Sequence, residues 1–182
     1  MKQAARFSPD GSAIATGAVD GFIEILDPST GKLKTDLTFQ AEERFMMHDT
    51  AVLALAFSRD SELLASGSKD GAVKVWRLLS GAVRSLNHSW IFDCLLWKIQ
   101  NKTNALDCAG QCLRRIPKAH SSAISCIEFT REGSQLLSGA LDGSLVLHGL
   151  KSGRALREFK GHTSYINAAI FSKDGSRVIY DV

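Results

Sequence analysis

Four pentapeptides of one pattern recur along the chain: "FSPDG" at 7–11, "FSRDS" at 57–61, "FTREG" at 129–133 and "FSKDG" at 171–175. Such a repeat restricts the fold more than composition does. Each copy must be one supersecondary unit that buries its apolar face against its neighbours. The pentapeptides close apolar runs such as "VLALAFS", "AISCIEFT" and "YINAAIFS", which read as strand and tight polar turn. A second apolar run follows and ends on small residues, as in "SELLASGS" and "SQLLSGAL". Then "VDGFIEIL", "KDGAVKVW" and "LDGSLVLH" place Asp-Gly in a hairpin turn before a third strand. A weaker fourth strand follows a glycine turn in "GKLKTDLTF" and "GRALREFK".

Four short antiparallel strands per unit, repeated, is the pattern of a β-propeller blade. His48 lies 22 residues before Asp70, and His120 lies 22 before Asp142. Four residues before Asp20, Asp70 and Asp142 stand Thr16, Ser66 and Ser138, and six after Asp70 stands Trp76. Such a set can form a buried hydrogen-bond chain, with the carboxylate fixing the imidazole and the indole N–H closing the far end. These offsets resemble the WD40 repeat and its structural tetrad. The departures are Leu26 and His148 at the Trp position, and Met47 and Ala119 where glycine precedes the His. On this reading only the second unit holds a full tetrad, and His162 opens a fourth. Asp70→Ala is expected to leave His48 unsatisfied, at a cost of roughly 2–4 kcal/mol.

One segment breaks the period. Phe129 to Phe171 is 42 residues, but Phe57 to Phe129 is 72. Without the 29 residues 82–110 the step becomes 43, and "LLSGQCLRR" then parallels "PSTGKLKTD" and "LKSGRALRE". Residues 82–110 are therefore an insert in a turn between two outer strands. A retained intron and a genuine surface loop both account for it. Its helix-like "WIFDCLLWKI" would form an exposed apolar patch. The expected division is 1–81, holding blades one and two with the first incomplete at its start, then the insert 82–110, then 111–182 with blade three and part of a fourth. The expected fold is an all-β WD40 propeller fragment of about three and a half four-stranded antiparallel blades.

Joined across the insert, "VDGFIEILD", "FQAEERFMMHDTAVLALAFSRDSELLASGSKDG", "SGQCLRR" and "LHGLKSGRALREFKGHTSYINAAIF" resemble the propeller of the SMU family of spliceosomal WD40 proteins. The likeness covers 4–81 and 111–179 and includes His148 within "LHGLKSG". It implies a nuclear scaffold in pre-mRNA splicing whose partner is a RED-like protein. Family members carry an N-terminal LisH/CTLH helical region and a seven-bladed propeller. The present chain is expected to lack that region and the remaining blades, and so to be a fragment. The resemblance also implies which positions bind partners: one and three after each His, and the one before each Asp. Here these are Asp49, Ala51, Lys69, Ser121, Ala123, Leu141, Thr163 and Tyr165, with Val19 from the first unit. Tyr165 is the best anchor, and Lys69 could supply charge selectivity.

Other classes fit less well. The His, Ser and Asp residues recur once per unit, whereas a nucleophile is needed once, so no catalytic residue and no enzyme is expected. No Gly-Lys-Ser/Thr follows the glycines, and the four cysteines form no Cys-x-x-Cys pair, so neither a cofactor nor a metal is expected. Arg114, Arg115 and Lys118, with Lys151, Arg154, Arg157 and Lys160, form basic clusters. Interleaved carboxylates and a net charge of +3 read as solvated strands, so direct RNA contact gains no support. No apolar window is long enough for a membrane span, and no apolar leader follows Met1 and Lys2. The runner-up is a WD40 adaptor of another nuclear assembly, a ubiquitin ligase receptor or chromatin complex.

Overall fold

The computed structural model describes residues 2–34, 37, 46–78, 111–162 and 164–182. The insert 82–110 and its alternative origins lie outside the described residues, as does Thr163.

Every described element is a strand. The first sheet orders β1 (Lys2–Phe7), β2 (Ile14–Ala18), β3 (Phe22–Leu26) and β4 (Met46–Met47) in chain sequence. The second orders β5 (Val52–Phe57), β6 (Leu63–Ser68), β7 (Val73–Arg77) and β8 (Gln111–Ile116). The third orders β9 (Ile124–Phe129), β10 (Gln135–Ala140), β11 (Leu145–Gly149) and β12 (Ala155–Phe159), and β13 (Ala168–Phe171) pairs with β14 (Val178–Asp181). All pairings are antiparallel. Two boundaries differ from expectation. The first sheet is four-stranded, because "KQAARF" supplies its inner strand, so that unit is not incomplete at its start. Gln111–Ile116 pairs with β7 and closes the second sheet, so blade two continues past the insert rather than ending at 81.

The core lies between successive sheets. Ile23, Ile25 and Met46 of the first pack with Val52, Leu64 and Trp76 of the second, and Val73 and Val75 pack with Ile124, Ile127 and Leu136 of the third. Close approach needs a residue without a side chain on the second strand. A Cβ on Gly67 would lie 2.4 Å from Cγ2 of Ile124, so the glycine after Ser66 lets the next inner strand seat.

Candidate interaction face and its buried hydrogen-bond chains

Each Asp-Gly turn packs on the His-bearing loop that leads into the next sheet. The His48 amide donates to the Gly21 carbonyl at 2.9 Å, and the His120 amide to that of Gly71 at 3.2 Å. The amides of Lys69 and Leu141 donate to the carbonyls of Ala51 and Ala123, both at 2.9 Å. Gly71 has φ 79°, and a Cβ there would lie 2.3 Å from the His120 carbonyl oxygen, so the approach requires glycine on both counts. These bonds tie the turns and loops of three sheets into one rim.

Beneath the rim run side-chain chains. In the third sheet Ser138 Oγ sits 2.7 Å from His120 Nε2 and 2.9 Å from His148 Nε2. On the other side of the ring, His120 Nδ1 is 2.7 Å from Ser144 Oγ and 3.6 Å from Asp142 Oδ1. Ser144 spends its proton on Asp142 Oδ1 at 2.6 Å, so it must accept from His120 Nδ1–H. Neutral His120 then accepts from Ser138 at Nε2, and Ser138 accepts from His148 Nε2–H. The protons all point one way, from His148 towards Asp142. His148 thus supplies the donor that indole supplies elsewhere, and the third unit holds a continuous chain that sequence reading credited only to the second.

The second sheet differs at the opposite end. Trp76 Nε1 donates to Ser66 Oγ at 2.8 Å, and Ser66 Oγ lies 2.6 Å from His48 Nε2. Asp70 does not close this chain. Its Oδ1 accepts from the Ser68 hydroxyl and from the Ala72 amide at 3.1 Å, while His48 Nδ1 is buried without a hydrogen-bond partner. The turn has Ala72 where the third unit has Ser144, so no hydroxyl relays between Asp70 and His48 there. Asp70→Ala should therefore loosen the turn rather than orphan His48. The expected loss is about 1–2 kcal/mol in the denaturation midpoint, and a loss above about 4 kcal/mol would restore a direct carboxylate–imidazole link.

In the first sheet Thr16 Oγ1 reaches only the Glu24 carbonyl at 3.5 Å, and Asp20 Oδ1 accepts from the Phe22 amide at 3.2 Å. His162 Nε2 meets the Tyr180 hydroxyl at 2.9 Å, with the rings 4.7 Å apart and edge-on. Tyr180 follows His162 by 18 residues, the offset of Ser66 from His48 and Ser138 from His120. Sequence reading missed it because a phenol stood where a small hydroxyl was sought.

Burial governs the titration of these rings. It drives His48 down to about 3, helped by the Lys74 ammonium, and His148 down to about 4, helped by His120. It also lowers His120, against the pull of Asp142. Burial pushes the Asp142 carboxyl up, but hydrogen bonds from Ser144 and Ser121 outweigh it and hold the group well below the usual range. Rings that are 1% and 2% exposed at His48 and His148 cannot reach a substrate. Among the described residues no group of three or more His, Cys, Asp or Glu is placed to hold a metal.

On the rim itself Val19, Leu141 and Tyr165 are 48%, 47% and 58% exposed. Lys69, Asp49 and Ser121 are exposed, Ala51 is half-buried, and Ala123 is buried, which removes Ala123 from the surface. Asp49 pairs with Arg115 at 3.1 Å, and Ser121 is bonded through amide and hydroxyl to Asp142 at 2.9 Å. Arg114 reaches into the third sheet and donates to the carbonyls of Leu150 at 2.7 Å and Lys151 at 2.5 Å. Lys160 pairs with Glu158 at 3.0 Å. Several cations of the basic clusters are therefore engaged within the protein.

Comparison with known proteins adds the following. A family profile described as "Vps8 beta-propeller" matches residues 9–180. A stretch of 51 residues is 51% identical to WD40 repeat-containing protein smu1 of Dictyostelium discoideum, covering 28% of this chain and 10% of that protein. WD repeat-containing protein 1 of Gallus gallus is 31% identical over 179 residues, 89% of this chain and 29% of its own. The COMPASS component SWD3 of Saccharomyces cerevisiae is 27% identical over 152 residues, 83% of this chain and 36% of its own. The chain thus spans about a tenth to a third of the curated relatives it matches.

Proposed function

The chain belongs to the Vps8 β-propeller family that this profile describes and is a WD40-repeat protein by its likenesses, and on that premise we propose that it is a non-catalytic protein-interaction scaffold of the spliceosome, working in the nucleus. The observation that carries the scaffold reading is the division of labour on one face. His48, Ser66, His120 and Ser138 are buried beneath the rim and hydrogen-bonded to one another within their sheets, while Val19, Leu141 and Tyr165 stand exposed on cross-bonded turns and loops. Rigid turns presenting apolar side chains lose little entropy on binding. The splicing assignment rests on the SMU-family pattern and on the 51-residue likeness to smu1. A RED-like protein is the partner this implies. A second reading, an adaptor of another nuclear assembly, draws on the longer and weaker likeness to a COMPASS component.

Purification of the intact protein from nuclear extract separates the two. Spliceosomal proteins and small nuclear RNAs should accompany it, and recovery of histone-modifying or cullin components in their place would favour the adaptor. Tyr165→Ala with Leu141→Ala should cut partner recovery by at least about tenfold, since exposed anchors each contribute about 1–2 kcal/mol. The thermal midpoint should not move. Undiminished recovery would exclude this rim as the contact face.

A further inference from the structure

The pentapeptide turns lie at the opposite end of the strands from the rim, roughly 20 Å away along an inner strand such as Val52–Phe57. Their third position carries Arg59, Arg131 and Lys173 in successive units. The turns of the second and third sheets share a cavity of about 350 Å³, lined by Ser58, Arg59 and Asp60 on one side and by Arg131, Glu132 and Gly133 on the other. Inner strands β5 and β9 pack together and set these two turns side by side. Each turn is closed by its own backbone. The Ser61 amide donates to the Ser58 carbonyl and the Gly133 amide to that of Thr130, both at 2.9 Å, so the two arginines spring from fixed points. Both are exposed, and neither makes an ion pair or hydrogen bond with a described residue. Asp60 is folded back into its own turn, where it accepts from the Ser58 hydroxyl and, at 3.1 Å, from the Glu62 amide. Glu132 takes the equivalent position in the third turn, and the Thr130 hydroxyl bonds to Gln135 rather than to it. Two guanidiniums on one cavity repel each other, and an anion held between them removes that cost.

We propose that Arg59 and Arg131 clamp a phosphoryl group carried on a phosphorylated side chain of a partner protein, at a site separate from the rim. Each guanidinium offers paired N–H donors that match phosphate oxygens, and the monoester dianion meets two positive charges. A carboxylate brings only one charge and two oxygens to the same pair. Nucleic acid fits less well, since each phosphodiester carries a single charge and a continuing polyanion would run against Glu132 on the cavity wall. No residue of this cavity belongs to the rim, so the site stands or falls apart from the contact face described above.

The test titrates the intact protein into the peptide Ala-Ala-phosphoserine-Ala-Ala and follows its phosphorus NMR line, which should shift and broaden to saturation. Arg59→Gln and Arg131→Gln should each weaken binding about tenfold or more. Both side chains are exposed, so the thermal midpoint stays with the parent. Glu132→Gln should tighten binding about threefold, because a like charge leaves the cavity wall. Peptides with serine or glutamate in place of phosphoserine should compete at least about tenfold less well. Tyr165→Ala with Leu141→Ala should leave this titration unchanged, so that failure at the cavity and failure at the rim are read apart. An unmoved line, an affinity untouched by both arginine substitutions, or a glutamate peptide that binds equally well would overturn the proposal. So would weaker binding in Glu132→Gln, since the cavity would then select a ligand that carries a cation. Inorganic phosphate bound as tightly as the peptide would assign the cavity to the free ion in place of a partner protein. Tighter, arginine-dependent binding of an oligouridine probe would assign it to nucleic acid instead.

Discussion

Ser138→Ala is expected to lower the unfolding free energy by about 4 kcal/mol, read from the denaturant midpoint at constant m-value. Ser138 is 0% exposed and serves two imidazoles at once. Its loss leaves the His120 Nε2 lone pair and the His148 Nε2–H donor buried without partners, and each such orphan costs about 1–3 kcal/mol. A small cavity adds to this. The second substitution that separates this account from simple packing is His148→Leu in the Ser138→Ala background. The first sheet already places Leu26 at that position, so the repeat accommodates an aliphatic side chain there. Removing the orphaned donor should recover about 1–2 kcal/mol. A Ser138→Ala midpoint within about 1 kcal/mol of the parent would show that the hydroxyl is not the hub of the third sheet. A further loss on adding His148→Leu would locate the effect in packing instead.

Those two residues mark where the sequence was legible and where it was not. Strand order, the turns and the rim follow from periodic apolar runs and from Asp-Gly at fixed offsets, because both are local rules that each repeat restates. Ser66 and Ser138 could be placed by offset for the same reason. What could not be read were contacts set by one side chain reaching between elements. His148 looked like a lost tryptophan, and only the direction of the hydroxyl shows it keeping the donor. Asp70 sits at the same offset as Asp142, yet a missing relay hydroxyl redirects its bonds into its own turn. Arg114 resembled part of a basic patch, and it bridges instead to the next sheet's turn. The first unit was read as incomplete at its start because only the closing "FSPDG" of its inner strand belonged to the repeat signal.

The same burial makes acid the strongest stress this architecture should feel. His48 and His148 are held near 3 and near 4, against an ordinary value of 6.5 that the unfolded chain recovers. Below pH 6.5 the unfolded state therefore binds protons that the fold refuses, so the stability these rings contribute is complete above 6.5 and is lost as pH falls towards the folded values. Each tenfold rise in proton concentration across this window costs a ring about 1.36 kcal/mol, so by pH 4 each has given up about 3 kcal/mol. That is a large share of the roughly 5–15 kcal/mol typical of a domain. The most strongly held surface carboxylates act only below this window. Asp10 and Asp174, lowered to about 2 by bonds from neighbouring serines, stay ionised until stronger acid. Half-buried Glu128 works the other way, since burial raises its carboxyl and its protonation relieves the fold as pH drops. Denaturant midpoints measured between pH 7 and pH 4 should fall steeply, and His148→Leu should flatten the curve relative to the parent at its own neutral-pH midpoint. A parent curve that stays level down to pH 4.5 would mean that water reaches these rings and that the hydrogen-bond chains are not sealed.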